Sequence, residues 1–226
     1  MRNPLINILV RTSNRPNFFA NCYKSIREQN YKNLRLIVSY DDEPTREYLQ
    51  NYEIDALVPF ERCDDWSGIK SEVFLSGYIE KPFPPNTYFN EMMEHTLPGY
   101  VIKLDDDNRF SSSESLSKIA EKIRGANQML LWRVQFPGYA IPDNQHFGKE
   151  PHCCQIDTAC FAFHTDYIRY AGWDGYMYSD FRVAMCLFLH IPQKTYINEV
   201  LIALQDKPGS GLRNDLPTPN LSNDEV

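Results

Sequence analysis

The chain has 226 residues and a net charge of −7, enough for one well-buried α/β domain and without the basic surface that nucleic acid requires. Its Lys and Arg residues are scattered, and no stretch approaches the ~20 apolar residues of a membrane span, so nucleic-acid binders and transmembrane proteins are set aside. Six cysteines (Cys22, Cys63, Cys153, Cys154, Cys160, Cys186) show no C-x-x-C spacing, and the polar start Met1-Arg-Asn-Pro4 has no signal-peptide pattern. Free thiols are therefore expected, in a protein that is cytoplasmic or peripheral to a membrane.

Leu5 to Val10 is a β-branched apolar run and reads as a buried strand. Thr12-Ser-Asn-Arg-Pro16 follows as a loop, with Pro16 placed to open a helix running to about Gln29. Leu34 to Tyr40 is a second strand, Asp41-Asp42-Glu43-Pro44 starts a second helix, and Ile54 to Phe60 is a third strand. This alternation predicts a parallel sheet with helical crossovers, a nucleotide-binding half-fold in outline. Residues 61–86 read as irregular, Thr87 to His95 as a helix, and Gly99 to Leu104 as a strand that runs into Asp105-Asp106-Asp107-Asn108.

A helix capped within Ser111 to Glu114 extends to about Arg124. Strands are expected over Met129 to Phe136, Ile156 to His164 and Thr195 to Leu204, a polar loop over Gly138 to Pro151, and helices over 165–171 and 179–190. The domain is expected to span 1–205, with a nucleotide-binding half to 108, an acceptor half over 109–205, and a flexible tail over 206–226.

The three aspartates carry the strongest chemical signal. Ligands of open α/β sheets bind at the carboxyl ends of strands, which is where this cluster falls. If the strand ran on, Asp105 and Asp107 would point the same way and form a pair suited to Mg²⁺ or Mn²⁺ with phosphate oxygens completing the shell. The alternative is an acidic turn capping the next helix. Asp41 and Asp42 share that edge, as acceptors for a base or ribose or as caps of their own helix; Thr12, Asn14 and Arg15 follow the first strand onto it, as ligand donors or as a surface turn.

Ile8-Leu-Val-Arg-Thr-Ser-Asn-Arg-Pro16, Ser25-Ile-Arg-Glu-Gln29, Asp41-Asp42 and Leu104-Asp-Asp-Asp-Asn108 together resemble the family-2-type glycosyltransferases, through their T-x-N-R-P loop, S-I-x-x-Q helix end and D-x-D motif. Tyr170-Ala-Gly-Trp-Asp174 and Ser179-Asp180-Phe-Arg182 extend the resemblance, while Phe89 stands where that family has Arg and Ser179 where it has Glu. The resemblance implies a GT-A-like (Rossmann-like) α/β fold, with a central mostly parallel sheet flanked by helices and mixed strands in its C-terminal half. It also implies a hexosyl- or pentosyltransferase using an NDP-sugar, UDP-linked in preference to GDP-linked, on a glycan, lipid-linked or protein acceptor. Asp41 or Asp42 would contact the base, with Thr12 and Arg15 nearby. Asp105 would approach the ribose, with Asp106 beside it, and Asp107 would be the main ligand of Mn²⁺ or Mg²⁺.

Inverting transfer needs a carboxylate base, for which Asp180 is the first candidate and Asp157, expected at the start of its strand, the second. Helix capping is the alternative for Asp180. Trp173 is a candidate sugar-stacking residue, with core packing as its alternative, and Lys207 and Arg213 are candidates for a lid over the diphosphate. A nucleotidyltransferase would also hold Mg²⁺ on carboxylates, but Thr12 to Pro16 contains no glycine for a triphosphate loop. A binding domain that kept the fold without turnover is the other alternative.

Overall fold

A computed structural model describes residues 3–61, 70, 72–75 and 77–205. In chain order the elements are β1 (Ile6–Arg11), α1 (Pro16–Arg27), β2 (Leu34–Tyr40), α2 (Glu43–Leu49), β3 (Ala56–Pro59), β4 (Val73–Leu75), β5 (Tyr78–Glu80) and α3 (Tyr88–Glu94). They continue with β6 (Tyr100–Asp105), β7 (Asn108–Phe110), α4 (Ser115–Lys122), β8 (Gln128–Phe136), β9 (Tyr139–Ile141), β10 (Phe161–His164), α5 (Ser179–His190) and β11 (Gln193–Leu204). Lys207, Arg213, Cys63 and the expected tail over 206–226 lie outside the described residues.

One sheet runs through both halves in the order β3-β2-β1-β6-β10-β8-β11-β7, with β9 added to β8. The β3-β2-β1-β6 block is parallel, as the strand-helix alternation predicts. Ile6, Ile8, Leu9 and Val10 are all fully buried, so β1 is covered on both faces and reads as a continuous apolar run rather than an alternating one. Helix α1 opens at Pro16, whose missing N–H costs nothing in the first turn, and turns Phe19, Cys22 and Ile26 inward. Past β6 the sheet becomes mixed: β10 is antiparallel to both β6 and β8, while β8 and β11 are parallel. The result is the mostly parallel central sheet with mixed strands in the second half that the resemblance implies.

Several boundaries differ from expectation for local reasons. The stretch expected to be irregular contains the two-stranded ribbon β4-β5, and the polar loop after β8 contains β9. All three are three-residue strands, too short to show a period. The strand expected over 156–164 begins only at Phe161, because the Asp157 side chain accepts from Ala159 N at 2.8 Å and winds Thr158–Cys160 into a 3₁₀ turn. Thr165–Tyr170 is 3₁₀ rather than α-helical.

Gly99 marks the tightest approach at the base of the parallel block, where Tyr100 N donates to Leu5 O at 2.8 Å. A Cβ at Gly99 would lie 2.4 Å from Leu5 O, a backbone atom held by that pairing. Gly99→Ala is therefore expected to destabilise the protein by about 1–3 kcal/mol, as overpacking does. Thermal unfolding checks this, and an unchanged midpoint would refute it.

Candidate active site

Registers Arg11↔Ser39 and Arg11↔Asp105 bring β1, β2 and β6 to an end side by side. Thr12, Asp41 and the aspartates therefore emerge along one carboxyl edge, as the topology requires. The strand does not run on through the aspartates. Asn108 Oδ1 accepts from Asp105 N at 3.0 Å and closes a turn over Asp106 and Asp107 into β7. The expected alternation of Asp105 and Asp107 to one side is corrected accordingly: Asp106 and Asp107 share one partner, and Asp105 has another.

That partner for the pair is Arg15, whose Nη2 lies 3.0 Å from Asp106 and 2.9 Å from Asp107. Asp105 is held by Arg11 Nε at 2.5 Å. Thr12 Oγ1 bonds Asp106 Oδ2 at 2.7 Å and Tyr48 Oη at 2.8 Å, so the hydroxyl links the aspartate turn to α2. The acidities of the three differ by environment. Asp106 is 3% exposed, and burial, with Asp107 beside it, pushes its pKa to about 7 despite Arg15. Burial and Asp105 raise Asp107, with Arg15 opposing. Burial also acts to raise Asp105, but Arg11 and Lys103 outweigh it and hold that carboxyl below its ordinary range.

Other residues expected at the donor side divide into ligands-in-waiting and structural groups. Asp42 Oδ1 accepts from Thr45 N at 2.9 Å and caps α2, the capping alternative weighed for it. Asn14 takes a left-handed φ of 48° and donates its N–H to Thr45 Oγ1 at 2.7 Å, which shapes the loop. Asp41 Oδ2 accepts from Tyr88 Oη at 2.7 Å, and the Tyr88 ring packs on Phe60 with centroids 3.7 Å apart. Sequence reasoning did not single out Tyr48, Tyr88, Arg11 or Lys103. For Arg11 and Lys103 the signal was present, since Lys103 is a cation inside the buried run of β6 and Arg11 ends the buried run of β1.

Asp157 and Asp180 lie close enough to Asp105 to feel its charge. Asp180 lies in the first turn of α5, where its Oδ1 accepts from Phe181 N at 2.8 Å. Burial pushes Asp180 up to about 6, and burial together with Asp180 and Asp105 pushes Asp157 to about 7. Lys103 faces both. It is 4% exposed, its ammonium 3.1 Å from the Phe89 ring centre and 4.8 Å from that of Trp173. Burial drives the Lys103 pKa well down, with Asp105, Asp180 and Asp157 pulling it back up and Arg11 pushing it lower. Trp173 is 3% exposed, packed on Phe89 and clamped by Asn90, which both donates to its carbonyl and accepts from its N–H. Its ring is core, so the proposed open stacking face is corrected to the packing alternative.

Among the described residues no group of three or more His, Cys, Asp or Glu forms a ready-made metal cage. The donor chemistry still fits a hard divalent ion held by one or two carboxylates, because Asp107 and Asp105 repel each other and a diphosphate brings its own oxygens. No helix among the described residues is long and apolar enough to cross a membrane.

No family model matches the chain, and no curated protein sequence matches it. Solved structures do share its architecture. S. aureus TarS 1-349 superposes with a TM-score of 0.67 at 14% identity, over 88% of this chain and 60% of that one. Its complex with UDP-GlcNAc gives 0.67 at 12% identity, over 90% and 59%. The mannosyltransferase PcManGT from Pyrobaculum calidifontis, in complex with GDP-Man and Mn²⁺, gives 0.64 at 14%, over 93% and 59%. The chain thus spans about three-fifths of the length of these proteins, and at such identities the likeness is one of fold. That fold is the GT-A type of nucleotide-sugar transferases, as the sequence resemblance implies.

Proposed function

We propose that this chain is the catalytic domain of a metal-dependent glycosyltransferase, moving a sugar from an NDP-sugar, UDP-linked in the first instance, to a hydroxyl acceptor with inversion. One observation carries the reading: the level ends of β1, β2 and β6 bring Asp105–Asp107 with Arg11 and Arg15 to one sheet edge, near enough to Asp157 and Asp180, two carboxylates with raised pKa values, for Asp105 to act on both. Perturbed acids gathered in one place mark a candidate site of proton transfer.

Division of labour follows from the chemistry of the bond. A diphosphate leaving as the sugar–phosphate bond breaks gathers negative charge, and Mn²⁺ or Mg²⁺ held on Asp107, with Asp105, would offset it. Arg15 adds fixed positive charge at the same place. Asp41, which accepts from Tyr88 beside the Phe60 ring, would contact the base, and Thr12 holds Asp106. Asp180, or Asp157 next to it, would take the acceptor hydroxyl's proton as that oxygen attacks from the opposite face of the sugar.

UDP, GDP, CDP and dTDP, each titrated by calorimetry with and without Mn²⁺, provide the test. One nucleotide is expected to bind with metal-dependent affinity, and Asp107→Ala is expected to cost about tenfold to hundredfold of the metal-dependent part. Failure of every nucleotide to bind with any metal would overturn the donor-site reading.

A further inference from the structure

Lys103 is a buried amine without the partners that burial demands. Among the described residues its Nζ makes no hydrogen bond and no ion pair, and it rests instead on the faces of Phe89 and Trp173. A buried donor left unpaired carries its full desolvation cost, so native proteins rarely keep one unless a ligand or water completes it. Trp173 Nε1, on one of the rings that the amine touches, is buried with no acceptor among the described residues. Acceptors lie around the amine without engaging it, since Asp105, Asp157 and Asp180 all act on Lys103 through space.

The position of Lys103 between these groups matters more than its burial. Asp105 leads into the turn that bears the diphosphate-side carboxylate Asp107, and Asp180 with Asp157 forms the proton-accepting side. In a displacement, the transferred sugar must lie between leaving group and base. Lys103, two positions before Asp105 on β6 and stacked on Phe89 and Trp173, is close enough to Asp105, Asp180 and Asp157 to feel all three charges. An amine donor with carboxylate acceptors nearby suits a hydroxyl, which donates and accepts at once. A carboxylate there would meet three like charges, Asp105, Asp157 and Asp180, against the two cations Lys103 and Arg11.

Resting on the glycosyltransferase reading above, we propose that Lys103 is a specificity-determining residue that binds a hydroxyl of the transferred sugar, so that the donor carries a neutral hexose or pentose and not a uronic acid. Its role in holding the sugar is additional to the support its charge gives Asp105 on the nucleotide side. Polar sites of this kind reject analogues lacking the bonded hydroxyl far more strongly than apolar pockets reject a missing methylene.

The test uses Lys103→Met, which keeps the buried stem and removes the amine, with Lys103→Arg as a second variant. Folding is monitored by thermal shift, and the Kd for the bare nucleoside diphosphate plus Mn²⁺ is measured first. The expected result is a nucleotide Kd weakened far less than transfer, a fall in kcat/KM of about 10–10³-fold with the neutral NDP-sugar, and loss of preference for that sugar over its deoxy analogues. Wild-type protein is expected to turn over the matching NDP-uronic acid at least ~10²-fold less well. If nucleotide binds but Lys103→Met transfers at the normal rate, or loses nucleotide affinity in parallel, the assignment of Lys103 fails and the glycosyltransferase reading stands. If no nucleotide binds to the wild type, the underlying reading fails instead. Should Lys103→Met be unfolded, Lys103→Arg decides: unchanged selectivity among deoxy analogues overturns the proposal, and altered selectivity supports it.

Discussion

Asp180→Asn is expected to lower sugar transfer by ~10² or more while nucleotide affinity stays the same. The amide keeps the shape of the carboxylate and can still accept from Phe181 N, so α5 retains its first-turn contact. What disappears is the ability to take a proton. Burial already holds Asp180 near 6 and Asp157 near 7, with Asp180 contributing to the second shift. The two therefore titrate as a pair, and transfer rates should report macroscopic values for both. The sign is fixed by chemistry: a base works deprotonated, so a carboxyl with a raised pKa is active above that pKa and loses activity as pH falls through it. Wild-type kcat/KM is expected to decline below about pH 7 and to be small below about pH 6. Near-normal transfer by Asp180→Asn, with loss in Asp157→Asn, would transfer the role to Asp157.

Arg182→Met is expected to have the largest effect on stability, a loss of about 3–5 kcal/mol. Arg182 grips Asp174 through both carboxylate oxygens, at 2.7 and 2.6 Å, and reaches the carboxylate of Glu80 with its remaining arm. Glu80 is completely buried, and its Oε1 has no hydrogen bond among the described residues. Removing the guanidinium leaves that carboxylate buried and unpaired, the costly half of breaking a buried pair. Asp174, half-exposed, contributes little to the loss because water can take over its bonds. For a domain of this size the unfolding midpoint should fall by on the order of 10 °C. The double variant Glu80→Gln with Arg182→Met should recover much of the loss, and a midpoint unmoved by Arg182→Met alone would refute the account.

The first half of the fold was readable because its signals are local. Apolar runs, Pro16 opening α1 and the acidic start of α2 each sit within one element, and parallel pairing follows from their order. The second half was blurred because its register is set at long range: β10 slots antiparallel between β6 and β8, and β7 pairs with the far end of β11. The site divided in the same way. Asp105–Asp107 and Asp180 announced themselves by residue type and place in the chain. Their partners did not, because the pairing of Arg15 with two aspartates depends on a turn at Asn108, and the setting of Lys103 depends on Phe89 and Trp173 arriving from other elements. Trp173 misled for the same reason, since Asn90 fixes it from a distant helix.

Gln205, just past β11, closes on the aspartate turn from the back. Its N–H donates to Asp107 O at 2.8 Å, and its side-chain amide donates to Asp106 O and Phe18 O, each at 2.9 Å, while accepting from Asn21 at 3.1 Å. The described chain therefore ends against the aspartate turn itself. For anyone labelling the protein, this exit is an opportunity and a hazard. An environment-sensitive dye attached immediately after Gln205 would report on any ligand that binds at the turn, whereas a bulky affinity handle fused at the same point would crowd it.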